Sequence, residues 1–124
     1  MPSLVDVQVL SPRRGVAVVE CSGEHDSASK DELGRLFTEL VTANELVVID
    51  VGEAGFIDSS FLHNLVKADR LARQQGSRVR LQHGSALIVS RALEVSGILS
   101  ALDSVTTRED ALAPIPGEPV AVAL

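Results

Sequence analysis

The chain has 124 residues, with 11 Lys and Arg against 17 Asp and Glu, a net charge of −6. That length suits one domain, and 45% apolar with 23% charged residues is the balance of a folded soluble chain, not a disordered one. An acidic chain repels phosphate backbones, and without Trp or Tyr it has little with which to stack bases, so nucleic-acid binding is not expected. The single cysteine, Cys21, rules out an internal disulfide and a cysteine-rich zinc site. His25, His63 and His83 lie far apart, so no metal and no cofactor are expected. Aliphatic runs such as Leu46-Val47-Val48-Ile49 fall far short of the about 20 residues of a membrane span. No basic stretch followed by an apolar one opens the chain, so a cytoplasmic protein is expected.

Val5 to Leu10 alternates apolar and polar residues, the period of a half-buried strand. Val16 to Cys21 is a second strand, and Ser11-Pro12-Arg13-Arg14-Gly15 between them reads as a hairpin turn. Ser29-Lys30-Asp31-Glu32 fits a capping box. Leu33, Leu36, Phe37, Leu40 and Val41 then mark one helix face, with Gly34 a small local cost. Leu46 to Val51 is apolar on both parities, which suits a central strand. Ser59 or Ser60 opens a second helix, with Leu62, Leu65, Val66 and Leu71 inward and Gly76 just past its end. Arg78 to Leu81 alternates again as a strand. A third helix begins at Ser85, with Ile88, Val89, Ala92 and Leu93 inward, and ends at Gly97. Ser104-Val105-Thr106 suits a short last strand, and Thr107 to Asp110 has the spacing of a small final helix. The fold expected is α/β: a mixed four- to five-stranded sheet with helices packed against it. Prolines 114, 116 and 119 break regular structure, so residues 1–113 read as the domain and 114–124 as a Pro/Ala/Val-rich tail.

The stretch with chemical content runs from Val48 to Leu65, where a buried strand leads through Gly52 to Ile57 into Asp58-Ser59-Ser60-Phe61-Leu62. Asp and Ser are favoured helix N-caps, so capping alone accounts for the pattern. The alternative is a phosphorylation site, with phosphate oxygens near the positive end of the helix. No Ser-His-Asp arrangement, phosphate loop or metal cluster stands out, and no residue is assigned a catalytic role.

The order of motifs resembles the STAS domain family, in particular the small bacterial anti-sigma factor antagonists, over about residues 4 to 113. Gly23-Glu24-His25-Asp26 looks like the family's Gly-Glu-x-Asp. Val47 to Val51 followed by Phe56-Ile57-Asp58-Ser59-Ser60 looks like its strand and Asp-Ser-Ser/Thr-Gly-Leu. Leu93-Glu94-Val95-Ser96-Gly97-Ile98 looks like its third-helix ending. The resemblance implies a partner switch, by a domain with no catalytic activity of its own, so an enzyme is not expected. The serine after the aspartate, Ser59 in preference to Ser60, is phosphorylated by a GHKL-type serine kinase that is itself the anti-sigma factor. The unphosphorylated antagonist binds that kinase, the phosphorylated form lets go, and a metal-dependent serine phosphatase resets it. Asp26, Asp58, Ser59, Ser60 and Phe61 are the partner-facing candidates, although Asp26 reads first as a turn or cap residue.

The sequence departs from the family at Phe61, which stands where the family has glycine. Phe61 either points into the core, four residues before Leu65, or is an exposed partner anchor. Lys67, Arg70 and Arg73 read as a solvated helix face, and Cys21 as a small core residue. Two other readings stay open: a scaffold STAS protein that is not switched, and a small-ligand or nucleotide sensor.

Overall fold

Strand Leu46–Asp50 is buried along its whole length, and its apolar residues on both parities place it in the middle of the sheet. The computed structural model describes residues 6–25, 30–84, 91, 93, 94, 97 and 102–113. In chain order the described strands are β1 (Val7–Arg13), β2 (Val16–Cys21), β3 (Gly23–His25), β4 (Leu46–Asp50), β5 (Ala54–Ile57), β6 (Arg78–Gln82) and β7 (Asp103–Val105). The described helices are α1 (Lys30–Ala43), α2 (Ser59–Gln75) and α3 (Arg108–Leu112). A five-stranded sheet runs in the order β1-β2-β4-β6-β7, and β3 with β5 forms a separate two-stranded sheet. β1 is antiparallel to β2, and every other pairing in the main sheet is parallel. No helix among the described residues is long and apolar enough to cross a membrane.

The expected mixed sheet is present. One of its faces carries Val19, Cys21, Val47, Ile49, Val79 and Leu81 into a core shared with Leu33, Phe37 and Val41 of α1 and Phe61, Leu65, Ala68 and Ala72 of α2. Leu36 and Leu40, expected inward on α1, are half-buried at its flank. On α2 the inward face is rotated from the one expected. Leu65 is buried, but Leu62, Val66 and Leu71 are half-buried at the flanks. The small Ala68 and Ala72 let the helix axis lie close to the sheet, and the longer chains fill the margins. Gly76 ends α2 in the left-handed conformation, φ 80°, as expected. Arg91, Leu93 and Glu94 are helical, Leu93 is buried, and the Gly97 N–H donates to the Glu94 carbonyl at 3.1 Å. The rest of the expected third helix, the Ser29 cap and the 114–124 tail lie outside the described residues.

Two expectations need correction. The first strand runs on through Ser11, Pro12 and Arg13, with a register shift between Leu10 and Arg13, and the turn shrinks to Arg14-Gly15. β1 is an edge strand, where a proline removes no needed ladder bond. Its residues are mostly exposed, not half-buried: Val7 alone joins the core, while Val9 and Leu10 face solvent. Between β4 and α2, Ala54–Ile57 forms β5, which pairs in parallel with β3.

The opposite sheet face is covered by α3, whose Ala111 and Leu112 pack with Val16, Val18, Leu46 and Val48. Two arginines fasten it there. Arg80, buried in β6, donates through Nη1 to the carbonyls of Asp110, Ala111 and Ala113 at 3.3, 3.0 and 3.0 Å and through Nε to Asp103 at 2.8 Å. It thus meets the carbonyl end of the helix, where positive charge is favoured. Arg108 reaches a row of polar side chains on three neighbouring strands, Glu20, Asp50 and Gln82, which stand in register. Its Nη2 donates to Glu20 Oε2 at 2.8 Å and to Asp50 Oδ2 at 2.7 Å, and its Nε to Gln82 Oε1 at 2.7 Å. Desolvation works against the guanidinium charge, but the hydrogen bonds that Arg108 donates to Glu20 and Asp50, with their negative charges, outweigh it and raise the Arg108 pKa. Arg108→Ala would leave both carboxylates without this partner. The Asp50 side chain is 12% exposed and that of Glu20 39%, so the cost sits below that of a fully buried pair, at roughly 2 kcal/mol. Urea unfolding with an unchanged slope and a lower midpoint is the expected result.

Candidate functional site

The start of α2 is set by the residues just before it. β5 ends at Ile57, which is buried, and β3 lies alongside with His25 opposite Ile57. Asp58 then takes an extended conformation, φ −108° and ψ −176°, and caps α2. Its Oδ1 accepts the Phe61 N–H at 3.1 Å and the Ser60 hydroxyl at 2.8 Å. Burial by itself would raise the Asp58 pKa. The hydrogen bonds from the Ser60 hydroxyl and from backbone N–H groups outweigh it, and the pKa is lowered. The carboxylate is therefore ionised at neutral pH.

This geometry separates the two serines. The Ser60 hydroxyl is half-buried and committed to Asp58. Ser59, the first helical residue, is exposed, and its hydroxyl has no hydrogen-bond partner among the described residues. A carboxylate, a helix N-terminus and an exposed hydroxyl thus meet at one end of α2. Of the two directions open to Phe61, the structure takes the inward one: its side chain is 2% exposed. Its ring meets that of Phe37 edge to face, with centroids 6.2 Å apart and planes at 85°. As a partner-facing residue Phe61 is corrected, because its side chain is spent on the core between α1 and α2. Asp26 lies outside the described residues.

Downstream, α2 carries an exposed stripe through His63, Lys67 and Arg70. Arg73, further along, pairs with Asp69 at 2.9 Å within one turn. Between α1 and α2 lies a groove of about 540 Å³ lined by Lys30, Asp31, Arg35, His63, Asn64 and Lys67 among others. Asn64 forms its floor, buried and donating from Nδ2 to the Lys30 carbonyl at 2.9 Å. Gly34 is needed here, since a Cβ at that position would stand 2.9 Å from Asn64 Oδ1. The glycine that reads as a helix weakness lets α1 approach α2. Sequence reasoning also missed the Arg108 row. The signal was a polar residue at the same late position of three apolar strands: Glu20, Asp50 and Gln82. Cys21, as expected, is a core residue, its thiol pushed up to about 12 by burial and then by the charge of Asp50.

Asp58→Ala removes the cap and is expected to cost about 1 kcal/mol in thermal or denaturant melts. The lowered pKa fixes the sign with pH. The contribution is fully present above the unfolded carboxylate value and is lost as pH falls through the folded one. The parent and Asp58→Ala should therefore converge in stability at acid pH.

The fold and this site define a class: an α/β domain with a mixed five-stranded sheet that offers a hydroxyl beside a capped helix start. The family model described as "Mlab, STAS domain" matches residues 10–107, and the chain belongs to the STAS domain family. An anti-sigma factor antagonist from Mycobacterium paratuberculosis is similar in structure, with TM-score 0.74 and 22% identity over 86% of this chain and 91% of that one. The anti-sigma factor antagonist SpoIIAA in its unphosphorylated form gives TM-score 0.72 and 19% identity over 85% and 91%. Phosphorylated SpoIIAA, described as a Bacillus cell fate determinant, gives 0.67 and 18% over 85% and 95%. At such identities the likeness is one of fold. No curated protein matches the sequence.

Proposed function

We propose that this chain is an anti-sigma factor antagonist controlled by phosphorylation of Ser59. In this reading the unmodified protein binds an anti-sigma factor of the GHKL serine-kinase type and so frees a sigma factor. Phosphorylation by that kinase releases the antagonist, and a metal-dependent serine phosphatase restores it. The chain is a cytoplasmic binding module without catalysis of its own, acting in transcriptional control such as a stress response. The observation that supports this most directly is the division of labour between the two serines. Ser60 is held by Asp58, while Ser59 is exposed with its hydroxyl unengaged among the described residues. The fold shared with SpoIIAA, solved in both unphosphorylated and phosphorylated forms, supports it further. Asp58, Ser59 and Ser60 form the partner-facing end of α2 in this proposal, with Asp26 a further partner-facing candidate and the buried Phe61 as the support of α2.

Phe61 replaces the glycine of the antagonist motif. This departure favours the unswitched scaffold as the second reading. Incubation with the cognate kinase and ATP, followed by phosphosite mapping by mass spectrometry, separates the two. Phosphate on Ser59 is expected, also in Ser60→Ala. Phosphate confined to Ser60, or none at all, would leave the scaffold reading in front.

A further inference from the structure

We propose that His63 is the ionic partner, within the same chain, of a phosphate on Ser59. The inference rests on Ser59 being the acceptor and concerns what the phosphate meets once it is there.

Phosphorylation would bring about −1.5 to −2 charges to a helix start whose capping position is already occupied. Asp58 holds the Phe61 N–H and the Ser60 hydroxyl, and its lowered pKa keeps it ionised. A phosphate at Ser59 therefore sits beside a carboxylate and has lost one of the free N–H donors a bare helix end would offer. It needs a cation elsewhere.

The helix supplies the candidate. His63 lies four residues after Ser59 in α2, on the same exposed stripe. Residues at i and i+4 are neighbours, with Cβ atoms about 5–6 Å apart. Cα–Cβ bonds in a helix tilt toward its N-terminus, so the later side chain leans back over the earlier one. The imidazole is also uncommitted: His63 is exposed and makes no hydrogen bond or ion pair among the described residues. Imidazole changes charge between about pH 5 and 8, the range in which a phosphoserine takes its second charge. Each charge favours the other.

The surroundings leave this pairing open. The groove wall on α1 brings Lys30 and Arg35 against Asp31 and Glu39, two cations and two anions that offset one another. On α2 itself Lys67 stands one turn beyond His63. Its charge attracts the phosphate, but it lies two turns from Ser59. The nearest response to the phosphate thus comes from His63.

The test installs phosphoserine at position 59 during translation, so that no kinase is required, and follows the phosphate by phosphorus NMR across pH. An adjacent cation favours the dianion, so the second ionisation of the parent should fall at lower pH than in His63→Gln. A difference of about half a pH unit, a threefold change in ionisation constant, is expected at low salt, shrinking at about 1 M salt. His63→Lys should restore or exceed the parent's behaviour. Identical titrations of the parent, His63→Gln and His63→Lys would overturn the pairing. Failure of the kinase to modify Ser59 would appear in phosphosite mapping and would count against the switch, not against this pairing.

Discussion

Phe61→Ala should lower the unfolding free energy by about 3–5 kcal/mol, the cost of emptying an aromatic site in a packed core. The ring is 2% exposed and belongs to the cluster that joins α1, α2 and the sheet. Its edge-to-face contact with Phe37 adds about 0.5–1.5 kcal/mol beyond area alone. Phe61→Gly, which restores the residue of the antagonist motif, should cost about 1 kcal/mol more, because glycine also weakens a helix interior. Phe61→Leu should retain most of the stability. Denaturant titration reads all three, and a loss below about 1 kcal/mol for Phe61→Ala would show that the ring is not the support described here. The departure from the motif is then a matter of how α2 rests on α1. The Ser59 hydroxyl stays exposed on the opposite side of the same turn.

Much of this architecture was legible in the residues, for physical reasons that also mark where reading stopped. Strand Leu46–Asp50 and helix Lys30–Ala43 announce themselves through apolar runs and helical periodicity, because one buried face or two leave a pattern in the chain. Thr107 and Asp110 form the last cap as their spacing suggests, with the Thr107 side chain accepting the Asp110 N–H at 3.1 Å. Strands β3 and β5 were not legible. Gly23–His25 and Ala54–Ile57 are too short to show a period, and they exist because the two segments meet. Arg108 was equally silent, since its partners lie 88, 58 and 26 residues away. The serine pair was legible as a site but not as a choice. The Ser60–Asp58 hydrogen bond, which the spacing does not reveal, tells the two hydroxyls apart.

Phospho-Ser59 is expected to leave the fold intact and to weaken partner binding at least tenfold. The phosphate lands on an exposed residue at the N-terminal end of α2, where an anion does not oppose the helix. Phe61 and Leu65 keep the helix on its core, so the thermal transition should stay within a few degrees. The effect falls on the binding surface. A partner shaped around a neutral hydroxyl beside Asp58 must desolvate about −1.5 to −2 added charges. Burying such a charge without full compensation costs several kcal/mol. Each 1.4 kcal/mol is about tenfold in affinity, so a single poorly matched contact suffices. Ser59→Asp should act in the same direction with smaller size, having one charge and fewer acceptor oxygens. Ser59→Ala should bind as the parent does, and Ser60→Ala should still respond to phosphorylation at Ser59.

Whether Ser59 governs association, as proposed, is read by a calorimetric titration of the proposed anti-sigma factor partner with unmodified and phospho-Ser59 protein. Tight binding of the unmodified form is expected, with a phospho form at least tenfold weaker and of unchanged circular dichroism and melting temperature. Equal affinity of the two folded forms would contradict it.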